Sequence, residues 1–331
     1  MSIVDPSTWE QYLQKFPEAH ILQTRAWGEV KAAFGWYPQC VYNDRCGAQI
    51  LFRRLPLGLT IAYIPKGPVG EDWTSLWPEV DALCQKKRAI FLKVEPDAWD
   101  DSTADYLSWM IGFLPGKPTI QPRRTIIVSL EGTTDDWLER MKPKHRYNTR
   151  LASKKGVTVR QVEDVSAFYQ LMRTTGERNT FGVHSEEYYR RVLEAFAAAG
   201  EAALFLAEFQ DKPLAGLVAM RYGKRAWYFY GASSNEERQR MPAYPLQLEA
   251  MKWAKSAGCE TYDLWGIPDE EEETLETEFE TRNEGLWGVY RFKRGFGGKI
   301  MRSASAWEKI YQPALYNLYT WYQGRRGGLN G

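Results

Sequence analysis

Apolar and polar positions alternate through "QCVY" (39–42) and "AQILFRR" (48–54), with the turn-forming "NDRCG" between them. A third apolar run, "LTIAYI", follows, then a helical pattern in "SLWPEVDALCQKK" and a further apolar run in "AIFLKV". Period-two alternation bounded by Gly, Pro and Asn predicts strands, and the longer amphipathic stretch predicts a helix. Residues 202–267 repeat that order. "AALFLAEF", "LAGLVAMRY" and "AWYFYGA" read as strands separated by the turns "QDKP" and "GKR". "AYPLQLEAMKWAKSAG" then reads as a helix stopped by Gly258, and "TYDLWGI" as the strand after it. Strand–turn–strand–turn–strand–helix–strand, twice, predicts two related α/β units.

A chain of 331 residues is long enough for two such cores. Lys and Arg number 43 against 42 Asp and Glu, a balance that argues against wrapping duplex DNA but leaves room for a local basic face. "MSIVDPSTWEQYLQKF" lacks the basic-then-apolar pattern of a signal peptide, and no run reaches the roughly 18 apolar residues of a membrane span. The four cysteines form no CxxC and only three histidines accompany them, so neither zinc nor a disulfide framework is expected. The expectation is a cytoplasmic protein.

Several positions do not fit a purely structural role. In "QTRAWGEVKAAFGW", Trp27, Val30, Lys31 and Phe34 follow the i, i+3, i+4, i+7 stripe of a core-facing helix, yet one of them is a lysine. Such a lysine either snorkels to the rim or points into a pocket that holds an anion. "KPKHRYNTRLASKKGV" (142–157) carries six Lys or Arg and no acid. Lys142, Arg146, Arg150 and Lys154 share one helical face there, and Lys144 lies beside them. The face is either solvated or built for a polyanion such as tRNA. By contrast, "DEEEETLETEFE" (269–280), with eight acids, reads as an exposed mobile loop that need not touch the basic helix. In "FGVHSEEYYRRVLEAF", Ser185 is a plausible N-cap, with His184 before it and Tyr188 one turn in. That arrangement suits either a phosphate or an ordinary cap. "GVYRFKRGFGGK" (288–299) combines four basic residues, three aromatics and four glycines, which could let backbone N–H groups approach phosphate. It contains no Walker A or GxGxxG pattern, and Phe292 stands where a CoA-cradling loop would need Arg or Gln.

Taken in order, "QTRAWGEVKAAFGW", "YIPKGPV", "FLKVEPD", "KPKHRYNTRLASKKGV", "RNTFGVHSEEYY", "YFYGASS", "YDLWGIP" and "GVYRFKRGFGG" resemble the FemABX family of peptidoglycan aminoacyltransferases over nearly the whole chain. The resemblance implies an α/β fold with mixed sheets: tandem GNAT-like domains, the first formed by 1–131 with 300–331 returning to it, the second by 132–299. It is a compact pattern without the coiled-coil arm of some members. The implied reaction moves an amino acid from aminoacyl-tRNA to a stem-peptide amine of a peptidoglycan precursor. That acceptor is UDP-MurNAc-pentapeptide or a lipid-linked form, which would bring peripheral membrane proximity. No cofactor or metal is implied, since acyl transfer from an ester needs no CoA.

Residue by residue, Lys31 resembles the family's lysine for the precursor phosphates. His184 falls where well-studied members have a phosphate-binding arginine; it is a departure, since His is mostly neutral at pH 7 and lacks a bidentate fork. Tyr188, Tyr228 and Tyr230 resemble tyrosines lining the precursor channel. Phe292 and Lys293 resemble the Phe-Lys pair at the aminoacyl end of the donor, where a lysine can stabilise the oxyanion. Glu95 falls about where some members have an acid once considered as the base. The basic helix then becomes a tRNA backbone contact, read by charge and shape. Two other readings stay open: an N-acyltransferase on a different amine, using tRNA or CoA, and a non-catalytic RNA-binding protein.

Overall fold

In a computed structural model the described residues are 4–100, 105–116, 119–179 and 182–326. They fall into two compact units, Met1–Arg123 with Arg302–Gly331, and Arg124–Met301. Thr180 and Phe181 of "RNTFGVHSEEYY", and the last glycines of the C-terminal segment, lie outside the described residues.

In the first unit, Trp36–Tyr42, Cys46–Arg54 and Thr60–Pro65 pair antiparallel in sequence order. The helix Trp77–Lys86 then crosses over, and Ala89–Glu95 returns parallel to Thr60–Pro65. Both of these central strands are buried along their whole length, which explains why they read as continuous apolar runs. The sheet ends with Ala306–Ile310 and then Leu114–Gly116, and the short strand Val69–Gly70 pairs with Cys46–Arg54. Helix Trp77–Lys86 turns Val80, Leu83 and Cys84 onto Phe52, Ile64, Leu92 and Val94.

The second unit repeats the plan. Ala202–Phe209, Lys212–Tyr222 and Arg225–Ser233 run antiparallel, helix Ala243–Ser256 crosses, and Thr261–Asp263 returns parallel to Arg225–Ser233. Gly258, at φ +86°, terminates the crossover helix in a backbone conformation that other residues rarely adopt. Leu246, Ala250, Met251 and Ala254 face the core formed with Ile126, Val128, Leu217 and Tyr262. Residues 124–129, which the family resemblance assigns to the first domain, form a strand of this second sheet and pair with Thr261–Asp263.

Two expectations are corrected here. The acidic run 269–280 is not a free loop. It contains the helix Glu272–Glu278, anchored by fully buried Leu275, and Glu276 reaches Arg294, Tyr290 and Lys142. Burial alone would raise Glu276, but its hydrogen bonds from Arg294 and Tyr290 outweigh that and hold it down at about 2. Three of the four glycines of 288–299, Gly295, Gly297 and Gly298, also sit where packing leaves no room for a side chain, whereas Gly288 is open. A side chain on Gly297, at φ +81°, would lie 2.6 Å from the Arg140 carbonyl oxygen.

The C-terminal strand is locked by a buried ion pair: Lys93 Nζ lies 2.6 Å from Glu308 Oε1, with the two side chains 3% and 5% exposed. Residues 93 and 308 are direct partners in the antiparallel ladder. Removing one charge strands the other in a site of low dielectric, so Lys93→Met should lower stability by about 3–5 kcal/mol. Adding Glu308→Leu should recover most of that loss, as read from urea unfolding midpoints. Equal stability of wild type and the single variant would contradict the pairing.

Candidate functional site

Thr24 caps helix Arg25–Ala33, its side chain accepting from Trp27 N–H, and so sets the phase that turns Lys31 inward. Lys31 enters a recess of the first unit lined by Trp27, Trp36, Tyr63, Phe91, Arg53 and Lys93 among others. Its ammonium lies 5.3 Å from the Trp27 ring centre, and the Arg53 guanidinium lies 5.6 Å from that of Trp36. Burial, helped by the Arg53 charge, brings Lys31 down to about 8. The lysine therefore points into a pocket.

Glu95 stands behind the same recess. Its Oε2 accepts from Tyr63 Oη at 2.7 Å and from Gln121 N–H at 3.0 Å, while Oε1 accepts from Ile120 N–H. Ile120 and Gln121 line the recess, so the carboxylate fixes its wall. Three donors occupy its two oxygens at 3% exposure, so the carboxyl group is held as a structural anchor. A general base needs a lone pair directed at the incoming amine, and these hydrogen bonds suit a structural role better.

In the second unit, the parallel strands Arg225–Ser233 and Thr261–Asp263 stay paired only as far as Trp227 and Asp263. Beyond that point Asp263 Oδ1 accepts from Trp265 N–H at 2.7 Å and from the Thr125 hydroxyl. It thereby holds Trp265 at φ +61°. The resulting turn presents the Gly266 carbonyl to Lys293 Nζ, which donates to it at 2.9 Å. Lys293 is 5% exposed and its nitrogen lies 5.2 Å from the Tyr228 ring centre. Burial lowers it to about 7, against a smaller upward pull from Asp263.

Tyr228 and Tyr230 do not line one surface. Val218 pairs with Tyr230 and its neighbour Ala219 with Tyr228, so Phe229 is an extra residue in the ladder. That bulge turns the two tyrosines to opposite faces. Tyr228 lies beside Lys293, while the Tyr230 hydroxyl donates to that of Tyr188 at 3.2 Å. His184 stacks on Tyr188 with ring centres 3.9 Å apart and meets Tyr230 edge-on at 6.4 Å. Ser185 does cap the helix Glu186–Ala197, accepting from Tyr188 N–H at 3.2 Å.

The basic stretch forms the helix Pro143–Lys154, with Lys142 as its N-cap. His145, Asn148, Thr149 and Ala152 are buried, leaving Lys144, Arg150 and Lys154 exposed and Arg146 half-buried on the other side. Lys144, Arg150 and Lys154 pair with no carboxylate among the described residues, whereas Lys142 reaches Glu276 at 3.5 Å. The helix is tied to the Lys293 segment twice. Lys142 N–H donates to Gly295 O at 2.9 Å, and His145 Nε2 contacts Phe292 O at 2.7 Å. Burial, together with Arg294, Lys142 and Lys144, outweighs the Phe292 hydrogen bond and keeps His145 below the usual histidine range, so the neutral ring donates from Nε2.

Residues 140–293 match a family model described as Acetyltransferase (GNAT) domain. Two curated relatives, from Staphylococcus epidermidis and Staphylococcus aureus, are both named Lipid II:glycine glycyltransferase. They are 25% and 26% identical to this chain, and each alignment covers 93% of it and 92% of the relative. The solved structure of FemX superposes with a TM-score of 0.84 at 24% identity, over 96% of this chain and 98% of that one. The chain is thus similar along nearly its whole length to FemX-type transferases and shares their tandem GNAT-type fold. The two alignments run to 392 and 397 positions against 331 residues here, so the staphylococcal relatives carry segments that this chain lacks.

The sequence pattern did not single out Arg53, Asp263 or His145. Arg53 ends a regular strand, Asp263 sits inside the quoted "YDLWGIP", and His145 hides among lysines, so none breaks a local pattern. No group of three or more His, Cys, Asp or Glu that could hold a metal occurs among the described residues. The Lys293 environment carries a direct prediction. Nitrogen-detected NMR of the lysine ammonium groups should show Lys293 titrating near pH 7. Asp263→Asn, which removes the charge that holds the proton on, should move that midpoint lower. A Lys293 midpoint near the ordinary lysine value would contradict the burial.

Proposed function

We propose that this chain transfers glycine from glycyl-tRNA to a stem-peptide amine of a lipid-linked peptidoglycan precursor, lipid II. The observation that carries the reading is similarity along nearly the whole chain to enzymes named for that reaction. The geometry supports the division of labour. The Lys31 recess, with Arg53 beside it and an aromatic lining, suits the precursor's phosphates. The His184–Tyr188–Tyr230 cluster offers hydroxyl and imidazole partners to the same acceptor. Lys293, where the two strands part, takes the aminoacyl end of the donor.

In the reaction the acceptor amine attacks the ester carbonyl carbon. A tetrahedral intermediate forms, and the bond to the ribose oxygen breaks. The amine's proton is lost and the leaving ribose oxygen gains one. Lys293, lowered to about 7, is protonated in a substantial fraction of molecules at neutral pH and donates to the oxyanion from a site that excludes water. Gly266 and Tyr228 hold that amine in place before substrate arrives. Phe292, one residue earlier, packs against Tyr244 and Phe296 and lends its carbonyl to His145, so its part is to place Lys293. The exposed cations Lys144, Arg150 and Lys154, with Lys142 and Arg146, take the tRNA backbone.

The test is intact mass spectrometry of lipid II and, in parallel, UDP-MurNAc-pentapeptide after incubation with glycyl-tRNA and the protein. A gain of one glycine residue on lipid II, abolished by RNase, is expected. Absence of any gain on both acceptors would overturn the reading.

Two variants probe the two anion sites separately. Lys31 is cationic below about pH 8 and loses its charge above it, so the KM for the precursor should rise as pH climbs through 8. Lys31→Arg, charged throughout, should flatten that dependence, and a wild-type KM that does not change with pH would contradict the assignment. Arg146→Glu with Arg150→Glu should weaken tRNA use by about tenfold or more and reduce its salt dependence, while sparing precursor binding. Equal loss of both would contradict the assignment of the helix.

A further inference from the structure

The C-terminal helix Pro313–Arg326 is apolar on two faces. On one, Tyr316 and Tyr319 meet Phe91 with ring centres 5.3 and 5.5 Å apart. On the other, Leu318, Trp321 and Tyr322, spaced i, i+3, i+4, are 59%, 54% and 44% exposed. Apolar residues on opposite sides cancel in any amphipathicity measure, which is why the sequence pattern shows no surface-seeking helix here. The inner face is covered by the sheet of the first unit. The outer face presents one aliphatic side chain and two aromatics with polar tips, the composition favoured at a membrane–water boundary. The sequence then continues with Arg325 and Arg326, cations suited to anionic headgroups.

The position of this helix matters more than its composition. Phe91, the residue on which its inner face rests, also lines the Lys31 recess. A bilayer touching the outer face would therefore lie one helix away from the pocket proposed for the phosphates of a lipid-linked acceptor. A second copy of the chain fits less well. Three half-exposed side chains offer on the order of 300 Å² of apolar surface, against about 800 Å² per partner in a stable interface.

We propose that Leu318, Trp321 and Tyr322 dock the protein on the membrane surface, presenting the Lys31 recess to a lipid-linked acceptor. The consequence for catalysis rests on the proposed function, but the docking itself does not. The test uses the full chain and its variant Leu318→Gln, Trp321→Gln, Tyr322→Gln, whose changes lie on the solvent side of the helix. Co-sedimentation with phosphatidylcholine vesicles containing phosphatidylglycerol should be at least tenfold weaker for the variant. Its KM for lipid II in those vesicles should rise by a similar factor, with turnover of a soluble, water-dispersed acceptor unchanged. Vesicle binding by wild type without any glycine transfer would defeat the functional reading and leave the docking standing. Failure of wild type to sediment, or equal sedimentation of the variant, would overturn the docking. So would a dimer in light scattering that the variant dissolves, since the face would then belong to a second copy.

Discussion

A primary amine taken out of water must surrender its proton or find acceptors, and the second unit is arranged around that constraint at Lys293. Among the described residues it donates to the Gly266 carbonyl, which faces the amine because Trp265 is held in the left-handed region by the Asp263 carboxylate. The Asp263 charge also opposes the loss of the amine's proton, against the larger effect of burial. One side chain thus bears on both the position and the ionisation of the lysine. The pairing of the two parallel strands ends at Trp227 and Asp263, just before the turn that meets it.

From that point the links run outward. Phe292 hands its carbonyl to His145, and Gly295 hands its own to Lys142 N–H, so the helix carrying the basic face and the helix end carrying Lys293 are one hydrogen-bonded assembly. Glu276 closes the assembly by drawing Arg294 and Lys142 together. The acids that balance the net charge of the chain are therefore partly spent in shaping the basic helix, while Lys144, Arg150 and Lys154 stay available. In the first unit the logic is similar: Glu95 is occupied by hydrogen bonds from its own neighbours and fixes the wall of a recess that holds Lys31 and Arg53.

The doubled architecture was legible because strand and helix periods differ and because Gly, Pro and Asn mark the turns between them. Lys31 was legible for a related reason, as a charge on an apolar stripe. The bulge at Phe229 was not: a ladder slip depends on the partner strand, and nothing local in "YFYGASS" announces it. Placing Tyr228 and Tyr230 in one channel followed from the family resemblance, and the slip sends one to Lys293 and the other to His184. The acidic run was misjudged, and the anchoring of Glu95 was not visible, for a common cause. Their partners, Arg294 for the run and Ile120 and Gln121 for Glu95, lie far enough along the chain that composition alone shows only a charge. The glycines of "RGFGG" answer close backbone approach, which no sequence pattern distinguishes from phosphate binding.

The central claim is that acyl transfer takes place at the buried amine of Lys293. It is tested most directly by the single-turnover rate of glycyl transfer from pre-formed complexes of the protein, glycyl-tRNA and acceptor, comparing wild type with Lys293→Ala. With tRNA binding measured separately and unchanged, the account predicts a rate lower by about 100-fold or more, the scale of losing an oxyanion donor. A variant that transfers glycine at the wild-type rate would place the chemistry elsewhere.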